Sequence, residues 1–367
     1  MKIFAFYLPQ FHEVKENNEW WGKGFTEWTN VKKTKSLFKN HNQPRIPLNE
    51  NYYDLTEVES LEWQASLVKN YSIDGLCFYH YWFNGKLLLE KPAELLLKNS
   101  QINLPFFFSW ANEPWTRNWD GQNKKVLMPQ EYGNKEEWKL HFEYLLPFFQ
   151  DKRYVRHNGN PIFVLYRSAS FEKCAEWISY WRKLAQEYGL GDIHFVNSLT
   201  AFENDNRELA FDAQLHFEPF CGLKSTNKKL SGSEKFKNSA IKRIKIIKNL
   251  FSNPNLNSIK TFDYDQAWQI ILDKNYSKES YPGAFVDWDN TPRRQENGTV
   301  FLNTTPEKFK SYLSSLYTKA QSQQAPYIFI NAWNEWAEGT YLEPDTKNEY
   351  KYLEAIKDVV EKNQQSS

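Results

Sequence analysis

Short, almost wholly apolar runs alternate along this chain with longer segments whose apolar positions recur every three or four residues. The runs cover residues 3–8, 75–82, 106–110, 162–166, 193–197, 214–218, 284–288 and 327–331. Their length and their wealth of Phe, Ile, Val and Tyr predict strands buried on both faces. Between them, residues 57–70, 93–99, 135–149, 172–188 and 306–319 carry the helical period. Such alternation predicts parallel βα units. Eight strands predict an α/β fold of the (β/α)8 TIM-barrel type in preference to an open doubly wound sheet. One domain is expected over 1–362, with long βα-loop insertions at 10–55 and 222–260 and a frayed tail at 363–367.

Polar and aromatic side chains gather just after the C-terminal ends of these runs, where barrel enzymes build their sites. The most informative stretch is 327–344, in which Glu335 and Glu338 stand among Trp333, Asn334 and Trp336. A three-residue spacing puts both carboxyls on one side of a turn, where mutual repulsion separates an acid from a base. That pairing suits work on a sugar acetal; a Glu pair opening a helix beside core tryptophans is the plainer reading. Asn112, Glu113 and Trp115 follow Trp110 at the third strand. There Glu113 reads either as a second acid or as the partner of Arg117 in a structural ion pair. Asp287, Trp288, Asn290 and Arg293 follow the seventh strand, and its paired arginines suit an anionic group or a solvated turn. Tyr7, Gln10, His80 and Trp82 end the first two strands, and Trp21, Glu27 and Trp28 in the first insertion would wall the cleft.

Other chemistries find less support. No P-loop, Gly-x-Ser-x-Gly or dinucleotide fingerprint occurs, and His12, His80 and His216 lack metal-ligand spacing, so neither metal nor cofactor is expected. Asp263-Tyr264-Asp265 formally matches the Asp-x-Asp of metal-dependent nucleotide-sugar transferases. A formal net charge of +1 excludes a global field for nucleic acid. Its distribution is uneven: eight Lys and one Arg against Glu234 fall between Lys224 and Lys248. Within that stretch, 240–251 reads as a cationic amphipathic helix, either a lid or a contact to an anionic membrane surface. Aromatic residues make up 17% of the chain, more than a core needs, which suits a cleft that stacks on sugar faces. Three widely spaced cysteines and a start that reads as a strand predict a soluble, cytoplasmic protein.

Six blocks, 7–12, 21–28, 78–83, 110–113, 287–293 and the run Trp333-Asn334-Glu335-Trp336-Ala337-Glu338-Gly339-Thr340, resemble the WbsX-type family of bacterial surface-polysaccharide loci. That family is related to the glycoside hydrolase family 99 endo-mannosidases. The resemblance implies a (β/α)8 barrel and a retaining reaction. Glu335 would take the proton of the sugar 2-hydroxyl, which attacks the anomeric carbon, and Glu338 would serve as acid and then base. It implies an oligosaccharide or polysaccharide substrate, lipid-linked or free, and bond cleavage or transfer in O-antigen metabolism. A nucleotide-sugar or lipid-linked-donor transferase and a non-catalytic glycan binder are the alternatives. Ala337 stands where the endo-mannosidases typically have His.

Overall fold

A computed structural model describes residues 1–116, 126–201, 207, 210–229 (backbone alone for 225–229) and 259–365. The proposed helix at 240–251, most of the second insertion and Arg117 lie outside the described residues.

The eight expected strands are present as β1 (Lys2–Tyr7), β2 (Gly75–Phe83), β3 (Phe106–Trp110), β4 (Asn160–Leu165), β5 (His194–Leu199), β6 (Ala213–His216), β7 in two pieces (Ser280–Tyr281 and Gly283–Phe285) and β8 (Tyr327–Asn331). All neighbours are parallel, and the order runs from β6 through β5, β4, β3, β2 and β1 to β8. The two pieces of β7 close the ring, since the first pairs with β6 and the second with β8. Pro282 separates them because it has no N–H to give to a ladder. The chain crosses closely here: a Cβ on Gly283 would fall 1.8 Å from the His216 carbonyl oxygen. Relative to the apolar run at 284–288, β7 begins four residues earlier, and only the Val286 N–H, given to Asn331 O at 3.1 Å, extends its pairing.

Around the barrel lie α1 (Val58–Asn70), α2 (Lys91–Lys98), α3 (Lys135–Gln150), α4 (Cys174–Glu187), α5 (Tyr264–Leu272), α6 (Pro306–Ser322) and α7 (Lys351–Gln364). Their starts follow capping chemistry: Asn134 accepts from Glu136 N at 3.0 Å, and Thr305 accepts from Lys308 N ahead of Pro306. The helix α7 runs through Gln364, into the segment read as tail. No helix among the described residues is long and apolar enough to cross a membrane.

Aromatic rings fill the barrel. Phe4 meets Phe107 at 5.0 Å and Phe329 at 5.6 Å, and Phe6 meets Phe217 at 4.9 Å and Tyr79 at 5.6 Å. Six indoles, those of Trp110, Trp177, Trp181, Trp268, Trp333 and Trp336, are fully buried. Much of the aromatic content is therefore core. An indole is compatible with the interior when its N–H reaches a carbonyl, as Trp181 does at Trp138 O, 3.0 Å.

The first insertion is tied down as a wall. His41 Nε2 and Gln43 Nε2 each lie 2.8 Å from Asp289 Oδ2, and Arg45 donates to Asp287 Oδ2 at 2.8 Å and to Gly339 O at 2.9 Å. Burial alone would raise Asp289, but the His41 hydrogen bond and the Arg45 charge bring it down to about 2. In the same insertion the short helix Glu27–Lys33 is held by its own bonds, Glu27 N to Gln10 O and Trp28 Nε1 to Tyr53 O, each 2.9 Å.

Candidate active site

After β8 the chain folds back on itself: Asn334–Glu335 pairs antiparallel with Thr340–Tyr341, and a 3₁₀ turn, Trp336–Glu338, joins them. Gly339 closes the turn at φ 66°, and a Cβ there would sit 2.8 Å from the Asp289 backbone. Asp289 N in turn donates to Glu338 O at 2.8 Å, locking the loops of β7 and β8 together. This small hairpin points Glu335 and Glu338 at one guanidinium.

That guanidinium is Arg293, on the short helix Thr291–Arg294 beyond β7. Its Nη1 donates to Glu338 Oε1 at 2.6 Å, and its Nη2 to Glu335 Oε2 at 2.9 Å and to Glu27 Oε1 at 2.7 Å. Glu27 is wholly buried and also accepts the Ala337 N–H at 3.1 Å. Three carboxyls thus share one guanidinium, and the Arg294 charge also acts on Glu338. Burial, reinforced by Glu338 and Glu27 and opposed by Arg293, pushes Glu335 up to about 8. Burial likewise raises Glu338, with Arg293 pulling it down. These Arg293 donors go to carboxylates of the protein itself.

Three phenols surround the cluster. Burial raises Tyr79, Tyr81 and Tyr166, and the charges of Glu335 or Glu338 raise each of them further. Trp115 stands 5.3 Å from Tyr81 and 5.6 Å from Trp20. Glu113 pairs with Arg167, whose charge partly offsets the upward push of burial. The basic partner is thus at the end of β4.

Several expected contacts face elsewhere. His80 hydrogen-bonds His141 of α3, Nε2 to Nε2 at 2.8 Å, and burial lowers it to about 3; Trp82 stacks on the same imidazole at 4.5 Å. Successive strand side chains alternate faces, so the inward residues of β2 are Tyr79 and Tyr81. By the same parity Tyr7 turns outward to Gln64 of α1 (2.9 Å), and Trp110 packs at 5.6 Å from Trp177 of α4. Trp28 donates to Tyr53 O at 2.9 Å inside the loop core. Asn112 and Asn334 are staples: the first accepts from Arg167 N at 2.8 Å, the second from Leu8 N at 2.7 Å. Asn290 accepts from Thr299 N at 2.7 Å, and Asp287 holds Arg45. Trp288 packs edge-on to Phe220 at 4.8 Å, Trp21 lies 5.9 Å from Phe25, and buried Gln10 accepts the Glu27 N–H through its backbone carbonyl.

Tyr81, Tyr166, Arg167 and Glu343 were not anticipated. Glu343 is buried, and burial lifts it to about 7 although four donors surround it: Trp333 and Trp336 Nε1, Gln64 Nε2 and Tyr53 Oη. It holds the back of the hairpin that carries Glu335 and Glu338.

The face assignment is testable. Tyr81→Phe should lower kcat/KM several-fold with little change in stability, whereas Trp82→Phe should cost about 1–2 kcal/mol of stability and leave kcat in place. Urea titration and steady-state kinetics of the two variants check this. A second expectation follows from Glu335. Its folded pKa lies above its unfolded one, so the stability it contributes is present at acid pH and lost as pH rises toward 8. The neutral Glu335→Gln variant escapes that loss. It should be the more stable protein at pH 8 by roughly 2–4 kcal/mol, the difference fading toward pH 4, in thermal melts across pH.

Two features bear on metal chemistry. The side chains of His216, Glu218 and Cys221 converge beside β6, but Lys274 Nζ occupies their centre. It pairs with Glu218 and lies 3.4 Å from His216 Nδ1 and 3.6 Å from Cys221 Sγ. Asp263 caps α5 through Gln266 N, and Asp265 is held by Lys308 at 2.7 Å and Tyr312 at 2.8 Å. The Asp-x-Asp is accordingly a helix start, with its carboxylates engaged.

The family described as "Glycosyltransferase WbsX" matches residues 3–356. The protein WxcX of Xanthomonas campestris pv. campestris strain B100 is 34% identical over 361 residues, 97% of this chain and 49% of that protein. The chain thus spans about half the length of the curated relatives it matches. Among solved structures, a GH99 endo-alpha-mannosidase from Bacteroides thetaiotaomicron superposes with TM-score 0.55 at 17% identity, over 99% of this chain and 98% of that one. A glycoside hydrolase-like protein gives TM-score 0.57 at 11% identity, over 98% and 93%. These structures share the barrel fold.

Proposed function

The chain belongs to the WbsX glycosyltransferase family, and from that premise we propose that it cleaves or transfers a glycosidic bond, with retention, at Glu335 and Glu338. The observation carrying this reading is the one guanidinium, Arg293, that gathers both carboxyls at the end of β8. A carboxyl pushed up to about 8 is a strong base once ionised, as abstraction from a sugar hydroxyl requires.

In the proposed reaction the 2-hydroxyl passes its proton to the Glu335 carboxylate while its oxygen attacks the anomeric carbon. The Glu338 carboxyl protonates the leaving oxygen, and a 1,2-anhydro sugar results. Water or an acceptor alcohol then gives its proton to Glu338 and opens that ring, and Glu335 returns its proton to the 2-oxygen. Two inversions give net retention. Arg293 holds the pair side by side, and Glu27 keeps it from being over-stabilised as two anions. The substrate class is an oligosaccharide or polysaccharide of the bacterial surface, free or lipid-linked.

The test is product analysis by NMR on a responsive surface glycan. A first-formed product with the anomeric configuration of the substrate supports the proposal, and an inverted one refutes it. Whether water or alcohol supplies the second oxygen is read from the same spectra.

A further inference from the structure

An aromatic cavity lies apart from the Arg293 cluster. It has a volume of about 480 Å³ and is lined by Tyr52, Trp63 and Tyr350 together with Asn49, Glu50 and Asn51. The rings come from three separate stretches, and each is steadied from behind. Tyr350 stacks on Tyr71 at 5.9 Å, Trp63 leans on Tyr53 at 5.8 Å, and Tyr52 carries the Lys32 ammonium 3.9 Å from its centroid. All three remain half-buried, unlike the rings of the core.

The polar side of the cavity has an unusual backbone. Asn49 and Glu50 both adopt positive φ, 56° and 54°, a region Asn tolerates and Glu resists. Three backbone bonds hold them there: Leu48 N to Pro344 O (3.0 Å), Glu50 N to Pro47 O (3.0 Å) and Tyr52 N to Glu50 O (2.7 Å). Strain that is over-determined in this way marks positions whose side-chain placement matters. Here it puts an exposed amide and an exposed carboxylate on the wall opposite flat rings.

We infer that this cavity is a second carbohydrate-binding site, gripping a distant stretch of the same glycan that is processed at Glu335 and Glu338. The inference rests on the glycan reading of the active site. Sugar C–H faces pack on the rings, while hydroxyls donate to Glu50 and exchange hydrogen bonds with the Asn amides. An apolar peptide would leave those polar groups unmatched, and the volume is in the range of ligand pockets. The bond from Leu48 N to Pro344 O ties the cavity to the residue following Glu343, so a glycan held there lies alongside the catalytic hairpin's support.

The test uses the full chain made inactive by Glu335→Gln, applied to an array of immobilised bacterial surface polysaccharides. Trp63→Ala and Tyr350→Ala in that background should each weaken retention about tenfold, and Trp63→Phe should restore most of it. In the active chain, the same two variants should raise KM for a polymer and leave turnover of a short fragment unchanged. Retention untouched by either alanine, or no retention of any polysaccharide, overturns the second site. Loss of turnover on Glu335→Gln is read separately, so failure of the catalytic reading is distinguished from failure of this one. Near-UV circular dichroism of each variant verifies the fold.

Discussion

Glu335→Gln is expected to lower turnover of a natural glycan by about a thousandfold or more, and Glu338→Gln by a similar factor, but the two losses should differ in kind. Glu338 is assigned to proton delivery at the leaving oxygen. An aryl glycoside whose phenol leaves without a proton should therefore restore the first step of Glu338→Gln, and azide should replace the activated water in the second. Neither rescue reaches Glu335→Gln, because no leaving group compensates for a 2-hydroxyl that keeps its proton. A 2-deoxy substrate should be inert to the wild type for the same reason. If a 2-fluoro sugar instead becomes covalently attached to Glu335, the carboxylate itself attacks the sugar and 2-hydroxyl participation is wrong. The surrounding charges set the pH at which this works. The proposed roles require Glu335 ionised and Glu338 protonated, and both are raised from the ordinary carboxylate range by burial. The kcat/KM profile should accordingly be displaced to higher pH than the optimum near about 5 that a pair of ordinary carboxyls would give.

The barrel was legible because parallel strands covered on both faces are written as continuous apolar runs. The runs 106–110 and 327–331 coincide with β3 and β8. What made strands easy to find made their faces hard to assign. In β2 nearly every side chain from Leu76 to Phe83 is large, so no polar alternation says which residues look inward. His80 and Trp82 carry obvious functional chemistry and drew attention; the less conspicuous Tyr79 and Tyr81 hold the inward positions. The split of β7 was obscured because the apolar run continues past Phe285 to Trp288 while the ladder breaks at Pro282. Candidate acids at strand ends were readable from type and position, but their partners were not. Glu27 and Arg293 are 266 residues apart, and Glu113 and Arg167 are 54 apart. No local spacing encodes such pairs; the pairing of β3 with β4 brings the second together, and β8 lying between β1 and β7 the first.

Glu343 shows the same limit at larger energetic cost. It is one carboxylate for four donors drawn from three parts of the chain, with Tyr53 Oη and Gln64 Nε2 at 2.8 Å, Trp333 Nε1 at 2.9 Å and Trp336 Nε1 at 2.7 Å. Each donor is buried, so removing the acceptor leaves its desolvation cost uncompensated. Glu343→Ala should lower stability by about 4 kcal/mol in guanidinium titration, and Glu343→Gln, which keeps one acceptor oxygen but adds a competing N–H₂, by about 2 kcal/mol. The functional consequence should exceed the loss of folded protein. Trp333 and Trp336 flank Glu335 in sequence, and both indoles are anchored only through Glu343 among the described hydrogen bonds of their Nε1 atoms. Freed, they let the hairpin carrying Glu335 and Glu338 shift against Arg293, and displacement by even an ångström disrupts a geometry-dependent proton transfer. At a denaturant-free temperature where Glu343→Gln remains folded, kcat should therefore fall at least tenfold while tryptophan emission shifts. Full kcat in a protein destabilised by the stated amount would mean that the carboxylate braces the fold without positioning the catalytic pair.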